Sequence, residues 1–315
     1  MSRHNLQRLG SLLVPLTLLV SAACARDKNG FDLEGSLVPA EEIHLGGPPR
    51  DGIPSIDQPR FVDAMQAGFL ADSDRVLGLV RGGKSRAYPV AIMNWHEVVN
   101  DQIGKESIAI TYCPLCGTGI AFKSEMRGMQ LGFGVSGLLY NSDVLLYDRE
   151  TESLWSQLRM QAIAGPLMGK RLNAVPLVHT SWHAWRMEHP DTLVLSTETG
   201  FERDYRHDPY ASYASRSDTY FPVSAESSRY HPKERVLGVE IDGRFKAYPF
   251  AELTRTGKQR ISDSFAGRLL MISFDGTHGV ARAFDQDGRE LATVTGFWFA
   301  WYAFHPGTEV FSADR

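Results

Sequence analysis

One short pattern occurs twice in the chain, and this repetition constrains the fold more than any other sequence feature. Arg-Val-Leu-Gly begins at Arg75 and again at Arg235, and each copy is followed by a glycine turn and Ala-Tyr-Pro at the same spacing. A Trp-x-Ala-Trp block follows near the end of each copy. Matching blocks in one order predict an internal duplication over residues 70–196 and 232–312.

The repeated blocks predict short strands with few helices. Arg-Val-Leu-Gly, a glycine turn and a proline-ended return are typical of a β-hairpin. Trp182, Trp185 and His189 lie on one stripe of a predicted helix that recurs in the second copy. Because both copies carry the stripe, we interpret it as core packing. We expect a β-rich α+β fold of two related halves, built from short strands and hairpins with a few short helices.

The two copies differ where reactive side chains occur. The second copy has Asp275 and His278, whereas the first has Cys113 and Cys116 in the motif Cys-Pro-Leu-Cys-Gly. An alternating β-branched run before the motif and an apolar run after it predict a hairpin with both thiols at its tip. The third cysteine, Cys24, lies in the predicted signal. The thiol chemistry of the mature chain is therefore assigned to this hairpin.

Three interpretations of the motif remain open, and redox chemistry is the leading one. A reversible pair would make Cys113 and Cys116 catalytic, with no cofactor and with an unknown redox partner or small-molecule substrate. A periplasmic metal-binding protein would use the same cysteines with zinc or copper, and His278 is the candidate third ligand. A non-catalytic binding or assembly module would contain only a structural disulfide.

An insertion of about 45 residues distinguishes the first copy from the second. Residues that the copies do not share are better candidates for function than the shared scaffold. Several polar side chains lie among apolar ones in this insertion and are candidates for a pocket beside the thiols: Asn141, Ser142, Asp148, Arg149 and Gln157. The alternative is ordinary turn chemistry, with Asp148 and Arg149 forming a surface ion pair.

The first 24 residues predict export. Arg3 and Arg8 precede an apolar run and small residues that end at Cys24, which is typical of a secretory signal and resembles a lipoprotein site. We expect a periplasmic protein or a membrane-anchored lipoprotein, with membrane contact only through a lipid on Cys24. A net charge of −4 without clustered basic residues argues against a nucleic-acid partner.

Two segments lie outside the predicted halves. Residues 25–69 are rich in glycine, proline and charge, and predict an extended leader that covers the domain without forming a core. Residues 197–231 lack periodicity but contain five tyrosines. Because disordered linkers are poor in aromatic residues, this segment predicts an ordered aromatic strap.

With these residues assembled, the chain resembles the bacterial family called domain of unknown function 3179. The matching stretches cover nearly all of the mature chain: G-G-P-P-R-D-G-I-P-S-I-D, R-V-L-G with A-Y-P, T-Y-C-P-L-C-G-T, G-V-S-G-L-L-Y-N-S-D, Y-D-R-E-T-E-S-L-W-S-Q, R-H-D-P-Y and H-P-G-T-E-V. Some members are exported proteins labelled as selenoproteins. That resemblance implies redox chemistry at Cys113 or Cys116, since selenium mainly favours nucleophilic and redox reactions.

Overall fold

The structure is a computed structural model that describes residues 27–314. The predicted signal and Cys24 lie outside the described residues. Strands account for 41% and helices for 12% of the structure, which confirms a β-rich fold with four short α-helices. None of the helices in the described part of the chain has the length and apolar character needed to cross a membrane.

The elements before the insertion comprise nine strands and one α-helix: β1 (Asp27–Lys28), β2 (Phe31–Asp32), β3 (Ile43–Leu45), β4 (Phe61–Asp63), β5 (Arg75–Arg81), β6 (Lys84–Pro89), α1 (Val90–His96), β7 (Val98–Ile103), β8 (Glu106–Cys113) and β9 (Thr118–Lys123). Helix α1 ends at His96, and strand β7 begins two residues later, at Val98. Glu97 ends α1 in the left-handed region, with φ of 58°. This conformation turns the chain directly into the next strand.

The insertion and the end of the first predicted half follow: β10 (Glu125–Met126), β11 (Met129–Gln130), β12 (Phe133–Tyr140), β13 (Asp143–Asp148), β14 (Leu154–Ser156), β15 (Gln161–Ala164), β16 (Asn173–Val175), β17 (Val178–Ser181), α2 (Trp182–Glu188) and β18 (Leu193–Leu195). The insertion contributes most of a separate five-stranded sheet in the order β15-β14-β13-β12-β3. This sheet packs beside the cysteine hairpin.

The second predicted half contains the remaining elements: β19 (Arg235–Ile241), β20 (Arg244–Pro249), α3 (Phe250–Arg255), β21 (Arg260–Phe265), β22 (Arg268–Asp275), β23 (Val280–Phe284), β24 (Val294–Phe297), α4 (Trp298–Phe304) and β25 (Glu309–Val310). Short 3-10 turns occur elsewhere, at Ala40–Glu42, Ala64–Gln66 and Tyr213–Ser215. The strap 197–231 otherwise lacks regular elements.

One large sheet contains strands from both predicted halves of the chain. Its order is β25-β20-β19-β24-β9-β8-β7, and β16 pairs with β9 beside this path. A five-stranded sheet has the order β17-β5-β6-β18-β4, and a three-stranded sheet has the order β21-β22-β23. The series β17-β5-β6-β18 and β24-β19-β20-β25 thus have matching strand orders. A common origin of the two stretches stays a prediction.

The tryptophan stripes pack on glycines of the neighbouring strands. A Cβ atom on Gly78 would lie 2.3 Å from the Trp185 ring, and one on Gly238 would lie 2.1 Å from Trp301. Glycine is required at both positions because an indole ring occupies the space of a side chain. The stripes are therefore core contacts, as their recurrence predicts.

The leader differs from its prediction, because several of its apolar residues belong to the core. Phe31, Leu33 and Ile43 are at most 3% exposed and pack in the cluster under the insertion sheet. Strand β3 also pairs with β12. Sequence composition indicates an extended segment correctly, but burial of its few apolar residues depends on a surface that only the folded insertion supplies.

Candidate functional site

The two cysteines lie where the sequence predicts them, at the tip of the β8–β9 hairpin. Cys113 is the last residue of β8 and pairs with Thr118. Gly117 has φ of 62°, and the Phe297 ring lies 3.0 Å from the position of a Cβ atom there. Glycine therefore permits both the turn and the close contact. The peptide N–H of Phe297 donates to the carbonyl oxygen of Cys116 at 2.8 Å, which attaches the tip to β24.

Both thiols are buried and reduced. Cys113 is 1% exposed and Cys116 is fully buried. The sulfurs are 3.7 Å apart and do not form a disulfide. The structure therefore does not contain the disulfide that the structural interpretation of the motif expects.

The turn between β12 and β13 brings backbone polar groups to the thiols. Asn141 and Ser142 both have positive φ, 51° and 65°, as a two-residue hairpin turn requires. The carbonyl oxygen of Ser142 lies 3.8 Å from the Cys113 sulfur and 3.3 Å from the Cys116 sulfur. The hydroxyl of Ser142 is buried without a hydrogen-bond partner.

Asp143 completes a group of three potential ligands. One ligand atom from each of Cys113, Cys116 and Asp143 lies within 4.8 Å of the others, and all three residues are buried. Oδ2 of Asp143 accepts a hydrogen bond from the Leu158 N–H at 3.0 Å, whereas Oδ1 is buried without a partner. A buried carboxylate oxygen without a donor is costly unless a proton or a cation satisfies it.

Burial favours the protonated forms of the two thiols and of the carboxyl groups near them. Burial raises the pKa of Asp143 to about 7. Burial, and then the charge of Asp143, raises the pKa of Glu97 to about 8. Burial also raises the pKa of the Cys113 thiol and raises that of Cys116 well above its usual range. In a dry site these groups stay protonated unless positive charge is supplied.

Lys233 is a buried cation close to this group. It is 5% exposed, and Nζ donates to the carbonyl oxygen of Asp218 at 2.8 Å. Nζ also lies 4.1 Å and 4.6 Å from the ring centroids of Tyr213 and Phe299. Burial lowers the pKa of Lys233 to about 8, and the Asp218 and Cys116 charges partly oppose this shift. One lysine cannot balance two thiolates and a carboxylate.

Gln157 binds the cysteine hairpin next to its tip. Its Nε2 donates to Thr111 Oγ1 at 2.9 Å, and its Oε1 accepts from Thr118 Oγ1 at 2.7 Å. All three side chains are buried. Gln157 therefore links the insertion to both strands of the hairpin.

The side chains of the other pocket candidates, Asn141, Asp148 and Arg149, contact residues outside the cysteine hairpin. Asn141 accepts a hydrogen bond from the Ser224 N–H at 2.7 Å and donates to the Ala303 carbonyl at 3.3 Å, so it fastens the strap. Asp148 is fully buried in its own turn, where it accepts from the Trp155 indole N–H at 2.8 Å. Arg149 donates to Ser55 and lies 3.3 Å from Asp57 in the leader. The structure thus brings Ser142 and Gln157 to the cysteine hairpin, whereas Asn141 holds the strap, and Asp148 and Arg149 support the insertion and leader.

His278 contacts residues other than the two cysteines. Its Nδ1 is 2.9 Å from the Ser181 hydroxyl, and its ring stacks on His183 with centroids 5.5 Å apart. His278 does not belong to the group of ligand atoms formed by the cysteines and Asp143.

Sequence reasoning missed Asp143, Glu97 and Lys233. For Asp143, the sequence signal is a carboxylate directly after the Asn141-Ser142 turn, at the start of a strand that continues with Val144, Leu145 and Leu146. Glu97 and Lys233 carry no such signal, because helix ends and loops commonly contain charged residues.

These features define a β-rich α+β protein with a buried site of two thiols and a carboxyl group. The chain belongs to the family described as protein of unknown function DUF3179, whose model matches residues 50–308. No curated protein and no solved structure matches the chain.

Proposed function

We propose that the protein binds a metal ion through Cys113, Cys116 and Asp143, with zinc as the best-fitting ion. The observation that carries the proposal is the convergence of three buried ligand atoms, one from each of Cys113, Cys116 and Asp143, within 4.8 Å of one another. Asp143 takes the place that the sequence analysis gives to His278.

The sulfur separation supports this proposal. Two zinc–sulfur bonds of about 2.3 Å at a tetrahedral angle place the sulfurs about 3.8 Å apart. The Cys113 and Cys116 sulfurs are 3.7 Å apart. The hairpin therefore holds both thiols at the spacing of a bidentate zinc ligand pair.

The charge balance supports it as well. Two thiolates and the Asp143 carboxylate carry three negative charges, which burial alone would not tolerate. A divalent cation with the nearby Lys233 supplies three positive charges. Borderline ions such as zinc accept both thiolate and carboxylate ligands, whereas copper(I) prefers sulfur. The three protein ligands leave the fourth position of a tetrahedral site open. Glu97 is a second buried carboxyl group of this region, and the charge of Asp143 contributes to its raised pKa.

The test is metal content and affinity of the mature chain without a histidine tag. We expect about one equivalent of zinc per chain by mass spectrometry after dialysis. Cys113→Ser or Cys116→Ser should remove it, and Asp143→Asn should weaken zinc binding at least tenfold in chelator competition. The matched control is His278→Ala, at the position that aligns with Cys116, and it should keep wild-type zinc affinity.

The proposal fails if the wild type binds neither zinc nor copper after equilibration with each ion. It also fails if Asp143→Asn and His278→Ala have the same zinc affinity as the wild type. In these cases a correctly folded chain, shown by its melting temperature, rules out misfolding as the cause.

Thiol redox chemistry is the second candidate, and the short sulfur separation also favours it. A disulfide needs the sulfurs to approach to about 2.05 Å, with release of two protons and two electrons to an acceptor. Burial and raised thiol pKa values weigh against it, because the thiolate is the attacking species. A metal-free protein with a reversible midpoint above about −300 mV would favour this candidate over metal binding.

A further inference from the structure

A cavity of about 580 Å³ opens beside the cysteine hairpin. This volume is in the range of small-molecule sites. Pro114, between the two cysteines, forms part of its wall. Six aromatic side chains also line it: Phe69, Tyr112, Tyr205, Tyr210, Tyr213 and Phe297.

The cavity lies where three parts of the chain meet. Tyr112 and Pro114 come from the cysteine hairpin, Phe297 comes from the end of β24, and Tyr210 comes from the strap. Aromatic walls bind flat apolar groups through large contact areas. The cavity therefore has the shape and chemistry to hold a small organic molecule.

Arg75 provides positive charge at the cavity wall. It is exposed, and its side chain contacts His179 Nδ1 at 3.4 Å. No carboxylate of the described residues forms an ion pair with Arg75. The wall carboxylates Asp74 and Asp208 accept hydrogen bonds from the Ala71 N–H and from Asn94 instead.

Arg235 occupies the matching position in the second stretch. It pairs in the sheet with Phe297, the residue whose N–H donates to the Cys116 carbonyl. Its guanidinium lies 4.6 Å from the ring centroid of Phe250, and it too lacks an ion pair within residues 27–314. Burial, and then the charge of Arg75, lowers the pKa of Arg235 to about 9. The charge of Glu234 partly opposes this shift, and Arg235 is not one of the residues that line the cavity.

We propose that the cavity binds an organic anion with a flat apolar body, whose acidic group is held by Arg75 at the cavity wall. A carboxylate or phosphate would accept the planar donors of the Arg75 guanidinium, which forms no ion pair among the described residues. The aromatic walls would contact the apolar body next to Pro114. This site is distinct from the proposed metal site, because Arg75 does not belong to the group of the two thiols and Asp143.

The test uses benzoate as the probe, with equilibrium dialysis against the mature protein. We expect saturable binding of about one benzoate per chain, and at least tenfold weaker binding of benzyl alcohol, which has the same ring without the charge. Phenyl phosphate distinguishes the acidic group, since tighter binding of phenyl phosphate than of benzoate would identify a phosphate ligand.

Arg75→Gln should weaken benzoate binding at least tenfold. The matched control is Arg268→Gln, an exposed arginine that pairs with Asp242 on another sheet, and it should bind as the wild type does. Arg75 is exposed, so its variant should keep the fold, which its melting temperature checks. The proposal is overturned if benzyl alcohol binds as tightly as benzoate, or if folded Arg75→Gln keeps wild-type affinity. Loss of zinc with retained benzoate binding would separate the two sites.

Discussion

The thiol sulfur of Cys116 lies 3.3 Å from the backbone carbonyl oxygen of Ser142. This contact joins the cysteine hairpin to the turn of the insertion, and the next residue, Asp143, brings its carboxyl group to the same place. The insertion therefore contributes directly to the site. In the turn between β22 and β23, which the sequence aligns with the cysteine hairpin, His278 contacts Ser181 instead.

Replacement of Gln157 by leucine should destabilise the protein. The change leaves the buried hydroxyls of Thr111 and Thr118 without their amide partner, and a buried polar group without a partner costs about 1–3 kcal/mol. We expect a loss of this size in the free energy of unfolding, measured by urea denaturation. Gln130→Leu, on the exposed strand β11, is the control and should stay within about 0.5 kcal/mol of wild type. Equal stabilities of the two variants would contradict the proposed role of Gln157.

Alanine at Gly78 or Gly238 should lower stability by about 1–3 kcal/mol, because the added methyl group overpacks the core. The methyl would collide with Trp185 in the first case and with Trp301 in the second. Chemical denaturation of both variants measures the effect. Gly307→Ala is the control, since nothing lies within 4 Å of its Cβ position. Wild-type stability of Gly78→Ala would show that the tryptophan side chain moves at little cost.

His305 should make stability fall in mild acid. Its ring stacks on Phe245 with centroids 3.8 Å apart, and burial, then Arg159 and Arg171, lowers its pKa to about 3. The unfolded chain takes up a proton near pH 6.5, but the folded chain does not until about pH 3. Stability from this histidine is therefore present above pH 6.5 and lost as the pH falls towards 3, by up to about 1.4 kcal/mol per pH unit.

His305→Phe keeps an aromatic ring on Phe245 but cannot be protonated. The variant should lose less stability than wild type between pH 6.5 and 4 in urea denaturation. Because carboxyl groups titrate equally in both proteins, the difference between the two pH profiles isolates His305. Parallel profiles would contradict the prediction.

We also propose that the chain is exported and processed. Removal of the signal should leave an acylated Cys24 or a start just after it, because the apolar run and small residues before Cys24 match a secretory signal. Mass spectrometry of the native N-terminus distinguishes the two products. An intact Met1 on exported protein would contradict both.

Local patterns predicted much of the scaffold. Alternating apolar residues and Gly117 indicate the cysteine hairpin, and the tryptophan spacing indicates α2 and α4. Ser181 caps α2, since its side chain accepts a hydrogen bond from the Ala184 N–H. In α4 the capping position is occupied by Phe297, which has no side-chain hydrogen bond to the helix.

The sequence by itself determined where the strands and turns form and which hairpin carries the two thiols. These features depend on the preferences of neighbouring residues, which act over a few positions along the chain. Only the tertiary structure decided that Asp143, and not His278, meets the thiols, and that Arg75 lies on the wall of the cavity beside the cysteine hairpin. Such meetings depend on how sheets pack and which side chains lose water, and these interactions join residues that are distant in sequence.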